Sequence, residues 1–126
     1  MKILVIEDHP IDLKLAGRVL EAAGFTVNGI DAAEQAYASI KADRPDLILL
    51  DMGLPGMDGL ALLKRLKGDP ETRGIHVVAV TAYPERFSKA KAIEAGCDGY
   101  LLKPMSTRTL PQDLSDVAGR GTRDKQ

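Results

Sequence analysis

The sequence predicts an α/β domain of the doubly wound kind: five βα units, one five-stranded parallel sheet, helices on both faces. Three observations carry this. Apolar runs of four to six residues recur at even intervals, and each ends at a polar or charged residue. Each run is followed by apolar residues at helical spacing. The links between them are short, and strict alternation with short links gives parallel strands joined by right-handed crossovers.

The first strand is Lys2–Ile6, ending at Glu7-Asp8. A helix from Pro10 to Ala23 follows, with Ile11, Leu15 and Val19 at i, i+4 and i+8. Pro10 suits a first turn, where a missing N–H costs nothing, and Gly24 suits the stop. The second strand is Phe25–Ile30. Asp31 then reads as a helix cap with Glu34 three residues on, and the second helix turns Ala33, Ala36, Tyr37 and Ile40 inward. Asp46–Leu50 shows no alternation, as expected of a strand covered on both sides, and ends at Asp51. A loop with Gly53, Pro55, Gly56 and Gly59 leads to a helix carrying Leu60, Leu63 and Leu66. The fourth strand, Ile75–Val80, ends at Thr81, and a helix runs from Pro84 to Ala95 before Gly96. The fifth strand, Asp98–Leu102, ends at Lys103-Pro104. The last helix, from Ser106, aligns Leu110, Leu114 and Val117. Residues 1–118 form the predicted domain, and 119–126 read as a flexible polar tail.

Composition narrows the function. With 126 residues the chain is one domain, and no output domain fits after residue 118. Lys and Arg total 17 against 18 acidic residues, so no general attraction draws nucleic acid or anionic lipid. A single cysteine excludes an intrachain disulfide framework and a Cys-rich zinc site. No apolar run is long enough to cross a bilayer, and Glu7-Asp8 interrupts the only stretch resembling a leader. The expected location is the cytoplasm.

In an open parallel sheet, ligands bind beyond the carboxyl ends of the strands. Those ends carry Glu7, Asp8, Asp51, Thr81 and Lys103. Clustered carboxylates repel one another and require cations, so Lys103 and a hard divalent ion are both expected. An all-oxygen set points to Mg2+, with Mn2+ as the alternative. A carboxylate can attack phosphorus to give an aspartyl phosphate, whose oxygens a metal, an ammonium and a hydroxyl would neutralise.

The segments Glu7-Asp8, Asp51-Met-Gly-Leu-Pro-Gly-Met-Asp-Gly59, Thr81-Ala82 and Ala95-Gly-Cys-Asp-Gly-Tyr-Leu-Leu-Lys-Pro104 resemble the receiver domain of bacterial two-component response regulators. The resemblance spans residues 2–118 and is nearest to stand-alone receivers of the cell-division and polarity type. It implies strand order 2-1-3-4-5 and Asp51 as phosphoacceptor from a sensor histidine kinase or a phosphotransfer protein. It implies Mg2+ held by Glu7, Asp8, Asp51 and the Gly53 carbonyl, and Lys103 on the phosphoryl oxygens before a cis bond to Pro104. Pro55 falls in the loop behind the acceptor. Thr81 and Tyr100 become the switch pair, coupling the site to a protein-binding surface on the fourth helix, fifth strand and fifth helix. The protein is then a signalling module, not an enzyme acting on a released metabolite. It is expected as a monomer or a weak dimer formed on phosphorylation.

Plainer roles compete with these. Asp51 and the Glu7-Asp8 pair can serve as helix caps, Tyr100 as packing and Cys97 as a small core residue; His9, beside the acidic pair, can contact the metal, but Mg2+ prefers oxygen and a cap or a solvent-facing ring is the plainer reading. Haloacid-dehalogenase phosphatases need a second Asp two residues after the nucleophile, and Toprim nucleases an Asp-x-Asp; Gly53 defeats both. A flavodoxin-like cofactor binder would not place Glu7-Asp8 where phosphate must lie. A degenerate receiver would lack Asp51, Thr81 or Lys103. A receiver cut from a larger regulator or hybrid kinase is the remaining alternative.

Overall fold

The computed structural model describes residues 1–54 and 58–123. Five parallel strands, β1 (Lys2–Ile6), β2 (Thr26–Ile30), β3 (Leu47–Asp51), β4 (His76–Thr81) and β5 (Gly99–Leu102), form one sheet in the order β2-β1-β3-β4-β5. Five helices link and follow them: α1 (Pro10–Ala22), α2 (Ala36–Ala42), α3 (Gly59–Gly68), α4 (Lys89–Glu94) and α5 (Leu110–Arg123).

Side chains alternate across each inner strand, and this divides the core in two. Leu4, Ile6, Ile48, Leu50, Val77 and Ala79 face α2, α3 and α4, meeting Ile40, Leu62, Leu63, Leu66 and Ala92. Ile3, Val5, Leu47, Leu49, Val78 and Val80 face α1 and α5, meeting Ala16, Leu20, Leu110, Leu114 and Val117. All five β3 residues are buried, as the unbroken apolar run predicts.

Four local expectations are corrected. In α1 the inward stripe is Leu13, Ala16 and Leu20, while Ile11 and Leu15 are 81% and 48% exposed. Periodicity identifies the helix, but two overlapping stripes satisfy it. The second helix opens as a 3-10 turn at Ala33–Gln35, and no side chain caps it, Asp31 included. The fourth helix starts at Lys89 instead of Pro84. The Phe87 carbonyl accepts the Tyr100 hydroxyl at 2.5 Å, and the Lys91 N–H turns to the Ser88 hydroxyl, so the helix begins after that carbonyl. The last helix starts at Leu110, with Pro111 in its first turn, and continues to Arg123, well into the stretch read as a tail. Pro55 and Gly56 lie outside the described residues.

Two features hold the sheet ends. At the amino ends of β4 and β5, Lys67 Nζ donates to the Ile75 carbonyl (2.8 Å), the Arg73 carbonyl (3.2 Å) and Asp98 Oδ2 (2.8 Å). Asp98 Oδ2 also accepts the Val77 N–H at 2.8 Å. At the carboxyl end of β3, α3 begins pressed against the backbone. A Cβ on Gly59 would lie 2.5 Å from Met52 Cα and 2.6 Å from the Asp51 carbonyl oxygen.

Backbone cannot yield there as a flexible side chain would. Gly59→Ala is expected to lose about 1–3 kcal/mol of stability in urea unfolding. Gly68→Ala, with nothing near its Cβ position, is expected to be neutral or stabilising by up to about 1 kcal/mol.

Candidate functional site

Strand pairing places the site residues by backbone alone. Ile6 pairs with Leu50, so Glu7 and Asp51 follow on adjacent strands. The Glu7 N–H donates to the Ile30 carbonyl, the Met52 N–H to Val80 and the Lys103 N–H to Thr81, fixing the chain just beyond each strand end. Asp51 pairs with Val80, which sets Thr81 one position further on the neighbouring strand. The Lys103–Pro104 peptide is cis.

Lys103 is the electrostatic centre. Its ammonium lies 2.5 Å from Glu7 Oε1, 3.4 Å from Asp51 Oδ2 and 3.4 Å from Asp12 Oδ2. Burial pulls the Lys103 pKa down, but the Glu7, Asp51 and Asp12 carboxylates outweigh it and hold the group above the ordinary lysine value. Asp51 is almost wholly buried. Burial, together with the adjacent Glu7 carboxylate, raises its pKa; the Gly53 N–H, donating to Oδ1 at 3.0 Å, and Lys103 work the other way.

Glu7 divides its two oxygens. Oε1 holds Lys103, and Oε2 accepts the His9 N–H at 3.2 Å and lies 3.2 Å from His9 Nδ1. Asp8 Oδ1 is buried with no hydrogen-bond partner, although His9 Nδ1 is 3.4 Å away. The hydrogen bond to the Glu7 carboxylate, then the Asp8 charge, raises the His9 pKa. One donor atom from each of Glu7, Asp8, His9 and Asp51 lies within 4.8 Å of the others. The oxygens fit a hard divalent ion, and the orphaned Asp8 oxygen is where such an ion would satisfy a group that costs free energy alone.

Thr81 is fully buried, and its hydroxyl accepts the Tyr83 N–H at 2.9 Å. Tyr100 packs against the core on the α2–α4 side, and its hydroxyl bond to Phe87 ties β5 to the segment before α4. Burial raises the Tyr100 pKa, and burial likewise raises that of Cys97, which packs partly buried on the same core.

The chain matches the family described as response regulator receiver domain over residues 3–115. It belongs to that family. The receiver domain is 35% identical over 121 residues to the polar-differentiation response regulator DivK of Brucella anthropi, covering 93% of this chain and 95% of DivK. It is 38% identical over 118 residues to the phosphate regulon transcriptional regulatory protein PhoB of Pseudomonas aeruginosa, covering 94% of this chain and 52% of PhoB. Among solved structures, a CheY-like receiver domain protein from Methanospirillum hungatei superposes with a TM-score of 0.88 at 26% identity, covering 98% of this chain and 97% of that one. The receiver domain is thus a signalling component of a two-component system and not a conventional enzyme. Such domains bind Mg2+ through acidic residues and act with histidine kinases or phosphotransfer proteins and downstream targets. No helix among the described residues is long and apolar enough to cross a membrane.

One site neighbour, Asp12, escapes a reading of strand ends, and His9 lies beside the acidic pair as its place in the sequence suggests. Asp12 reaches Lys103 from α1, and its signal is the i+4 spacing from Asp8. His9 occupies the cap position of α1 but makes no side-chain cap bond; its ring turns to the acidic pair.

The raised Asp51 pKa gives a stability test. Above the raised folded value, the folded state carries a carboxylate it disfavours, and an amide removes that cost. Without metal at pH 7, Asp51→Asn is expected to be more stable than wild type by about 0.5–2 kcal/mol in urea unfolding. The gap should close as pH falls through the raised folded pKa towards 3.8, where Asp51 itself becomes protonated.

Proposed function

We propose that Asp51 is the phosphoacceptor of this receiver. The observation that carries the reading is a buried Asp51 carboxylate held between the Lys103 ammonium and the Gly53 N–H, beside an unpartnered Asp8 oxygen. An Asp51 oxygen forms the new bond to phosphorus as the P–N bond of a donor phosphohistidine breaks. The imidazole leaves with that electron pair and takes up a proton. Lys103 receives the charge on the phosphoryl oxygens and exchanges its carboxylate partners for them. In dephosphorylation, water attacks phosphorus and returns the carboxylate and inorganic phosphate. Glu7, Asp8, Asp51 and the Gly53 carbonyl would hold Mg2+, which would supply further positive charge at those oxygens.

Thr81 and Tyr100 transmit the change. The Thr81 hydroxyl leaves the Tyr83 N–H for the phosphoryl group, which shifts the segment whose Phe87 carbonyl Tyr100 holds. The surface of α4, β5 and α5 is the output, read by a protein partner in the cytoplasm. At Gly53 no side chain meets a water approaching phosphorus.

A small acyl phosphate with Mg2+ should add one phosphoryl mass to the intact chain. Asp51→Asn should abolish the addition, and Lys103→Ala should slow it by about 10²-fold or more. An adduct that survives Asp51→Asn overturns the assignment. Tyr100→Phe should leave the addition intact, cost about 0.5–1.5 kcal/mol of stability, and remove the phosphorylation-dependent amide shifts of α4.

A further inference from the structure

We infer that His9 makes the acidic pocket a mixed nitrogen and oxygen site that takes a borderline first-row cation such as Zn2+ in preference to Mg2+. The inference rests on the metal site proposed above and names a residue outside its all-oxygen set. His9 stands at the N-cap of α1 yet satisfies none of the helix's free N–H groups with its side chain. Instead its Nδ1 lies 3.2 Å from Glu7 Oε2 and 3.4 Å from Asp8 Oδ1. These are the separations of a coordination edge: two donors bonded to one ion at about 2.1 Å sit roughly 3.0 Å apart in an octahedron and 3.4 Å apart in a tetrahedron.

Of the oxygens that face His9, Glu7 Oε2 accepts the His9 N–H and keeps a second lone pair. Lys103 engages the other oxygen of Glu7, and Asp8 Oδ1 has no hydrogen-bond partner. With Asp51, the four donors lie within 4.8 Å of one another. Mg2+ gains little from imidazole, because it prefers oxygen and keeps its waters. Zn2+ and Co2+ accept imidazole and carboxylate together and tolerate four ligands. The cation bound through His9 occupies the pocket Mg2+ must enter, so Zn2+ acts as an antagonist of Mg2+ at this receiver. The His9 side chain is 66% exposed, so replacing it leaves the core untouched.

The test uses the full chain, titrated separately with Zn2+ and Mg2+ by calorimetry and followed in the imidazole nitrogen spectrum. The chain has two histidines, and His76 serves as the internal control. Zn2+ should bind about tenfold or more tighter than Mg2+ and shift the His9 ring nitrogens while leaving those of His76 in place. His9→Ala and His9→Gln should each weaken Zn2+ by about tenfold or more, since even the loss of a ligand's supporting partner costs that much. Mg2+ affinity should change by less than about twofold in both variants. Zn2+ affinity unchanged in both variants, or a shift at His76 instead, overturns the inference while Mg2+ binding keeps the metal site. Failure of Mg2+ to bind the wild-type chain removes the metal site and the inference together.

Discussion

Three carboxylates, Glu7, Asp12 and Asp51, lie within 3.4 Å of a single ammonium on Lys103, and Asp8 stands beside them with a buried oxygen unpaired. One positive charge cannot balance this set. Like charges 4 Å apart in a protein of moderate effective dielectric repel by about 4 kcal/mol, so the deficit is large on the scale of folding stability. Burial first, and the adjacent Glu7 carboxylate after it, hold the Asp51 pKa above its ordinary value. The attraction for a divalent cation is an expression of the deficit.

Holding such a pocket together demands a frame that cannot relax. The inner strands supply it, because β1, β3 and β4 are apolar on both faces and locked between two helical layers. Backbone pairing extends past the strand ends through Glu7, Met52 and Lys103, so the acidic groups cannot drift apart to reduce repulsion. Glu7 adds a consequence of its length. Its side chain reaches Lys103 with one oxygen and turns the other to His9.

The sheet, its strand ends and the main site residues were legible because each depends on residue type within a short window. An apolar run closes at a charged residue, and parallel topology brings those residues to one edge. What escaped depended on phase or on distance along the chain. Ile11 and Leu15 fit helical spacing as well as Leu13 and Ala16 do, and only packing on the sheet and α5 decides between the stripes. The start of α4 is set by Tyr100, a residue beyond the helix, whose hydroxyl claims the Phe87 carbonyl. The turn of His9 away from its capping position follows from where Glu7 Oε2 lies. Lys67 and Asp98 are 31 residues apart, and no local pattern joins them.

That last pair has a mechanical meaning. The chain leaves α4 through Gly96, whose Cβ position would fall 2.8 Å from the Lys67 side chain, and enters β5 past the Asp98 that Lys67 grips. The carboxyl end of α4 is therefore clamped. Its amino end rests on a half-buried serine cap and one tyrosine hydroxyl bond. A helix fastened in this way is a cantilever, fixed at Lys67 and lightly tied at Ser88. Displacing the lightly tied end would pivot the helix about the clamped one.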